Sequence, residues 1–352
     1  MRSKDWKQAF REALTDWYRR ECRDLPWRRT RDPYLIWISE VMLQQTRVDT
    51  VIPYYMRFAE RYPDMAQLAY APVEELMKEW EGLGYYSRVR NLQSGVREAY
   101  ETYGEVPADP DRFRKLKGVG PYTAGAVMSI AYGIPAPAVD GNVMRVLSRV
   151  LLIEEDIAKP KTRKLFEEAV MDLIDREDPS SFNQGLMELG ATVCTPTRPK
   201  CLLCPVRDWC AAYHEGREEE LPFKSKKKKP AAVPQTVIAV RSPGGRWLME
   251  QRPGEGLLAG MWQFPAEGTG DTEEAVRLIS DRFGLKLTQL QPATEFKHMF
   301  THRIWEVQAF TAEVAGDGPF DVQGGWFLPG EMESLTLPNP TKKVRDAVLG
   351  GK

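Results

Sequence analysis

The chain has 352 residues, 42% of them apolar and 28% charged, with 49 Lys and Arg against 50 Asp and Glu. That composition supports two or three domains with sizeable cores, and it excludes a disordered, collagen-like or disulfide-scaffold chain. The net charge of −1 does not announce nucleic-acid binding, so any DNA-binding face must come from local placement.

The opening stretch, MRSKDWKQAFREALTDWYRR, has no apolar signal core and no small-residue cleavage site. No apolar run reaches the roughly 18 residues of a membrane span. A cytoplasmic protein with no membrane partner is expected. The only histidines are His214, His298 and His302, so a multi-histidine metal site or a histidine triad in the first half is excluded.

Residues 1–215 read as helical. WKQAFREALTDWYRR, VEELMKEWEGL and TRKLFEEAVMDLID place apolar residues three and four apart, and the connections RDLPW, PADPD, GVGP and IPAPAVDGN carry Pro, Gly and Asp. Glu40 lies in YLIWISEVMLQQT. On a helix Ile36 and Leu43 share its face, so its carboxyl loses solvation and its pKa should rise towards that of a general acid near neutrality. In LKGVGPYTA, Gly118, Val119 and Gly120 make a turn between two helical patterns, with Pro121 at the start of the next helix. Its N–H groups could face a phosphate oxygen, directly or through a cation, although such a turn is also an ordinary tight connection. Asp140 in AVDGNV precedes the helix NVMRVLSRV. It reads as a helix N-cap and as a candidate second carboxylate, kept ionised by the N–H groups at the helix start.

Four cysteines follow within seventeen residues, Cys194, Cys201, Cys204 and Cys210, spaced C-x6-C-x2-C-x5-C. Thiols this dense in a cytosolic chain point to a metal, either one zinc ion or a [4Fe–4S] cluster. The single C-x2-C knuckle leans towards iron–sulfur. Arg198 and Lys200 between the ligands could present charge to a phosphate backbone, and Cys22 stands apart as a free thiol. Residues 216–233, which include Lys224 and Lys226 to Lys229, read as a solvated interdomain linker that could also contact a repair partner. From residue 234 to 352 the texture becomes α+β. TVIAV, RWLMEQR and RIWEVQAF read as strands, TEEAVRLISDRF as a helix ended by Gly284, and TKKVRDAVLG as another helix.

LKGVGPYTA, VDGNV and the cysteine loop together resemble the helix–hairpin–helix DNA glycosylase superfamily. LPWR at 25–28, SEVMLQQT at 39–46 and GLGYYSR at 82–88 resemble, within it, the MutY family of adenine DNA glycosylases, over nearly the whole chain. The implied architecture is a mainly α region over 1–215, a six-helix barrel plus a cluster domain with its [4Fe–4S] loop at 194–210. An α+β Nudix-like domain at 234–352 would recognise 8-oxoguanine. The endonuclease III relatives carry a Schiff-base lysine after the hairpin. Here Tyr122 stands there, which implies a monofunctional enzyme.

The resemblance also implies roles. Adenine opposite 8-oxoguanine, or opposite guanine, would be flipped from the duplex into a pocket. Glu40 would protonate it and Asp140 would stabilise the oxocarbenium ion, with Tyr122 and Asn142 hydrogen-bonding the carboxylates and sugar. Arg23, Trp27, Arg28, Leu43 and Gln184 would line the adenine pocket. Gln45, Leu83 and Tyr85 would enter the stack beside the lesion, Leu83 and Tyr85 from a surface loop, with Thr46 and Arg88 nearby. Gly118, Val119 and Gly120 would hold the backbone with a structural monovalent or calcium ion. Phe300, Thr301 and His302 would read 8-oxoguanine, Phe300 by stacking or wedging. The protein would be a monomer, nucleoid-associated and bacterial. A catalytic Nudix box needs R-E-x-x-E-E-x-G, whereas this chain has Leu278 and Arg282 at two glutamate positions and Asp281 at the third, so a pyrophosphatase that holds Mg2+ is not expected. An endonuclease III-like lyase and a non-catalytic DNA-binding scaffold are the remaining rivals.

Overall fold

The computed structural model describes residues 5–226, 229–316 and 324–350. Lys227 and Lys228 of the expected linker lie outside the described residues. In chain order the helices are α1 (Trp6–Glu21), α2 (Pro33–Leu43), α3 (Val48–Arg61), α4 (Met65–Tyr70), α5 (Val73–Glu79), α6 (Ser87–Tyr103), α7 (Pro110–Lys115), α8 (Pro121–Tyr132), α9 (Gly141–Leu151), α10 (Pro160–Leu173), α11 (Pro179–Thr192), α12 (Ala211–Glu215), α13 (Thr272–Phe283) and α14 (Asn339–Leu349). The strands are β1 (Ala231–Arg241), β2 (Trp247–Gln251), β3 (Trp262–Gln263), β4 (Ala266–Glu267), β5 (Leu287–Met299), β6 (Arg303–Val314) and β7 (Gly325–Phe327). Residues 1–72 and 87–226 make one compact unit, and residues 73–86 group with 227–352 in a second. Among the described residues no helix is long and apolar enough to cross a membrane.

The first unit is helical, as expected. Asp32 starts α2 by accepting hydrogen bonds from the N–H groups of Tyr34 and Leu35, and Pro33 occupies the first turn. Ile36, Trp37, Ile38, Val41 and Met42 are all buried, so α2 is a central helix, packed on α3, α6 and α8. A second core joins Phe10 and Leu14 of α1 to Val143, Val146 and Leu147 of α9 and Phe182, Leu186 and Leu189 of α11. Gly190 lets α11 approach the start of α9, since a Cβ there would stand 2.5 Å from Asn142 Cβ.

The stretch after α12 is not a freely solvated connector. Leu221 is buried, the Phe223 carbonyl accepts from Ile157 N–H (3.0 Å), and Ser225 N–H donates to Asp156 (3.1 Å). Local hydrogen bonding fixes a segment whose charge run suggested none. The last expected linker residues, Ala231–Val233, already belong to β1 and pair with β6.

The second unit is built on a seven-stranded sheet of order β3-β2-β1-β6-β5, with β4 on β1 and β7 on β2. β1 and β6 are parallel, and β5 and β6 form an antiparallel pair. Successive residues of β1 face opposite sides, as strand geometry requires. Ile238 and Val240 meet Ile279 and Phe283 of α13, whereas Ala239 meets Val344 of α14. The segment 73–86 is tied to this unit: Lys78 donates to the carbonyls of Glu333 and Leu335, and Glu81 pairs with Lys342 and accepts from Leu337 N–H.

The Nudix box positions resolve in the same unit. Arg282, where a metal-binding glutamate would stand, reaches Glu250 (3.4 Å) and Glu267 (3.1 Å).

Candidate active site

A cavity of about 160 Å³ opens in the first unit between α2, α8, the start of α9 and α11. Its wall includes Glu40, Tyr122, Asp140 and Asn142, and also Arg23, Trp27, Arg28, Leu43, Thr46 and Gln184. Residues spread from 23 to 184 are thus gathered at one place.

Glu40 is only 5% exposed, and the Tyr122 hydroxyl donates to its Oε2 at 2.6 Å. Burial pushes its carboxyl up to about 7, against the Tyr122 hydrogen bond and the Arg28 charge, while Asp140 pushes the same way as burial. Tyr122 is itself held well above the usual tyrosine value by burial and by Glu40, so it donates and stays neutral.

Asp140 caps α9. Its Oδ1 accepts from Val143 N–H (2.7 Å) and its Oδ2 from the Asn142 amide (2.8 Å). The helix start was expected to hold this carboxyl down. Burial outweighs it, and the carboxyl lies above the ordinary aspartate value despite the opposing donors Val143 and Asn142 and the charge of Arg145. Asn142 accepts in turn from Arg145 Nη2 (2.8 Å), whose Nε donates to the Cys194 carbonyl (2.7 Å).

Sequence reasoning missed Glu188. Its side chain is 1% exposed and lines the same cavity. Arg23 donates to it through Nε (2.8 Å) and Nη2 (2.9 Å), and Arg28 through Nη2 (2.8 Å). Burial would raise this carboxyl, but the Arg23 and Arg28 hydrogen bonds bring it down to about 2. The available signal was helical spacing, since Gln184 and Glu188 share a face of α11.

The four cysteines line one small cavity with Val146, Leu189 and Val193. Among the described residues no three Cys, His, Asp or Glu side chains stand close enough to share a single ion. Four thiolates around one cavity are a donor set that suits an iron–sulfur cluster. Buried Arg149 donates to Cys194 Sγ (3.2 Å) and to the carbonyls of Thr195 (2.8 Å), Pro196 (3.2 Å) and Leu221 (2.9 Å).

The expected DNA-facing residues divide. Gln45 and Tyr85 are exposed with φ of 58° and 48°, a left-handed conformation that costs non-glycine residues about 1–2 kcal/mol. Leu83 is 6% exposed, so the surface-loop expectation fails for it. Arg88 is buried as well, and its guanidinium caps the end of α2 through the carbonyls of Val41, Met42 and Gln44 and the Thr46 hydroxyl. At the hairpin, Gly118 has φ +78° and α8 starts after Gly120 with Pro121. In the second unit Thr301 and His302 are exposed, and the Thr301 hydroxyl meets that of Tyr85 at 2.9 Å. Phe300 packs edge-on against His298 (4.6 Å) and Trp305 (4.9 Å).

Three family models match the chain. They are the HhH-GPD superfamily base excision DNA repair protein over 38–172, the iron-sulfur binding domain of endonuclease III over 194–210, and a NUDIX domain over 236–347. Human adenine DNA glycosylase is 36% identical, with 96% of this chain and 73% of that protein aligned. The adenine DNA glycosylase of Buchnera aphidicola subsp. Schizaphis graminum is 31% identical over 96% of this chain and 97% of its own length. The solved structure of a thermostable thymine-DNA glycosylase matches with a TM-score of 0.54 and 30% identity, over 60% of this chain and 98% of that one.

Proposed function

From the membership of this chain in the adenine DNA glycosylase family, as its relatives show, we propose that it excises adenine opposite 8-oxoguanine as a monofunctional hydrolase, with Glu40 as the acid and Asp140 as the counter-charge. The observation that carries this reading is the pairing of two unlike carboxyls in one cavity. Glu40 has one hydroxyl donor and holds a proton up to about pH 7, whereas Asp140 accepts from Val143 and Asn142.

The duplex gives up its adenine into the cavity. Protonated Glu40 transfers its proton to N7 of the base. The C1′–N9 bond then breaks, its electron pair leaves with the adenine, and the sugar becomes an oxocarbenium ion facing Asp140. Water adds to C1′ and its proton returns to Glu40. Tyr122 fixes the Glu40 carboxyl, and Asn142 fixes that of Asp140. No lysine is among the cavity residues, which supports hydrolysis over imine chemistry.

Cys194, Cys201, Cys204 and Cys210 would hold a [4Fe–4S] cluster, as the match to the endonuclease III iron–sulfur domain supports. When bound, it supplies iron–thiolate cross-links across the loop. The hairpin at Gly118 to Gly120 would take a DNA phosphate, with a monovalent or calcium ion bridging. The Tyr85–Thr301 contact supports Tyr85, Thr301 and His302 as lesion-reading residues. The partner is double-stranded DNA, and we read a monomer.

The test is single-turnover cleavage of a duplex holding adenine opposite 8-oxoguanine, with and without alkali, against adenine opposite thymine. Alkali-dependent cleavage opposite 8-oxoguanine alone is expected. Alkali-independent cleavage, or none by cluster-loaded protein, overturns the reading.

A further inference from the structure

Glu188 is a buried carboxylate in a cavity whose proposed chemistry uses two others. Its carboxylate hydrogen bonds are with Arg23 and Arg28 and not with Glu40 or Asp140. All of its hydrogen bonds from side chains described above come from Arg23 and Arg28, and the Arg23 backbone N–H adds another at 3.1 Å. Arg28 is fixed on its other sides, since Nη1 donates to the Arg23 carbonyl (3.0 Å) and the guanidinium lies over the Tyr18 ring (5.3 Å). Two cations thus stand on the wall of a pocket that must keep a neutral acid.

We propose that Glu188 is a positioning residue for adenine excision: its carboxylate holds Arg23 and Arg28 in place and balances their charge beside Glu40. This rests on the reading of Glu40 as the acid. The groups facing Glu40 are Tyr122 from α8, Asp140 at the start of α9 and Arg28 from the turn after α1. Arg163 of α10 acts on Tyr122, and Arg145 of α9 on Asp140. Those facing the Glu188 ion group are Tyr18 and Asp49, the latter beside Arg23. With Glu188 neutral, one further guanidinium charge goes uncompensated beside Glu40. A nearby cation favours the ionised carboxylate, so the acid would lose its proton at lower pH.

The experiment compares wild type with Glu188→Gln, full-length and cluster-loaded, in single-turnover excision from the 8-oxoguanine duplex between about pH 5 and pH 9. Gln keeps the shape of the side chain and removes the charge. The alkaline limb of the rate profile is expected to move down by roughly one pH unit, over and above any loss that is the same at every pH. A uniform loss with the limb unmoved overturns the proposal and leaves Glu188 a packing residue. Arg23→Gln provides the second arm, which does not depend on the first variant folding. It removes a cation, so its limb is expected to move up, and in the double variant with Glu188→Gln the limb is expected to return towards wild type. An unmoved limb in Arg23→Gln overturns the charge-balancing role. If wild type excises no adenine at any pH, the functional reading itself fails and this proposal falls with it; wild-type activity with superimposed limbs sinks the proposal alone.

Discussion

The hydroxyls of Tyr85 and Thr301 stand 2.9 Å apart, although 216 residues separate them in the chain. Tyr85 sits in a left-handed loop conformation and Thr301 at an exposed hairpin turn, so each is presented by backbone geometry and the bond joins the two presenting loops. Under the proposed function their hydroxyls would contact the lesion. Thr301→Val should lower the preference for adenine opposite 8-oxoguanine over adenine opposite guanine about fivefold, with little change in the slower reaction. Tyr85→Phe with Thr301→Val should lose less than the product of the two single effects, a coupling of about 1 kcal/mol. Independent losses would show that the hydroxyls act separately.

Glu40 is protonated below about pH 7, and a general acid works in that form. The excision rate should fall about tenfold per pH unit above that pH, and should also fall on the acidic side as Asp140 takes up its proton. Glu40→Gln should lose roughly 10²–10⁴-fold in rate while still binding duplex. Undiminished turnover by this variant would remove Glu40 from the role.

The same residue opposes stability. Its folded pKa lies above the ordinary glutamate value, so its contribution is complete below that value and is lost as pH rises through about 7. The full loss is on the order of 3 kcal/mol. Glu40→Gln, with no charge to bury, should therefore melt higher than wild type at about pH 8 and gain less at about pH 5. Thermal melts at both pH values decide it.

Tyr122→Phe removes the hydrogen bond that favours ionised Glu40. Its alkaline limb should move up in pH, while the rate on the acidic side falls about tenfold through loss of carboxyl orientation. A limb that moves down would contradict the donor role of Tyr122.

Arg149→Met would leave the carbonyls of Thr195, Pro196 and Leu221 without their shared donor. The cost should be about 2–4 kcal/mol. Faster loss of the brown iron–sulfur colour and faster proteolysis across 216–226 should accompany it, with Arg149→Lys intermediate.

Residues whose chemistry announces itself locally were legible in the sequence: Glu40 on an apolar stripe, Asp140 before a helix, the spaced cysteines and the broken Nudix box. Each is a one-segment pattern. What escaped depends on contacts between segments. Glu188 and Arg149 are charges on apolar helices, and only the packed structure shows the partners that make their burial tolerable. Arg88 looked like a DNA ligand until the end of α2 was seen to need its donors. Leu83 lies among glycines that suggest exposure, yet its side chain is buried. The grouping of 73–86 with residues beyond 227 has no local signal, because ion pairs such as Glu81 with Lys342 span most of the chain.

Arg282 fills an acidic edge of the second unit. A magnesium ion between Glu250 and Glu267 would exchange with solvent and could be stripped by a chelator or displaced by another metal. A guanidinium tethered to α13 does none of these. The acidic edge is paired from within the chain, so this half of the protein should hold its shape equally in cation-starved and cation-rich surroundings.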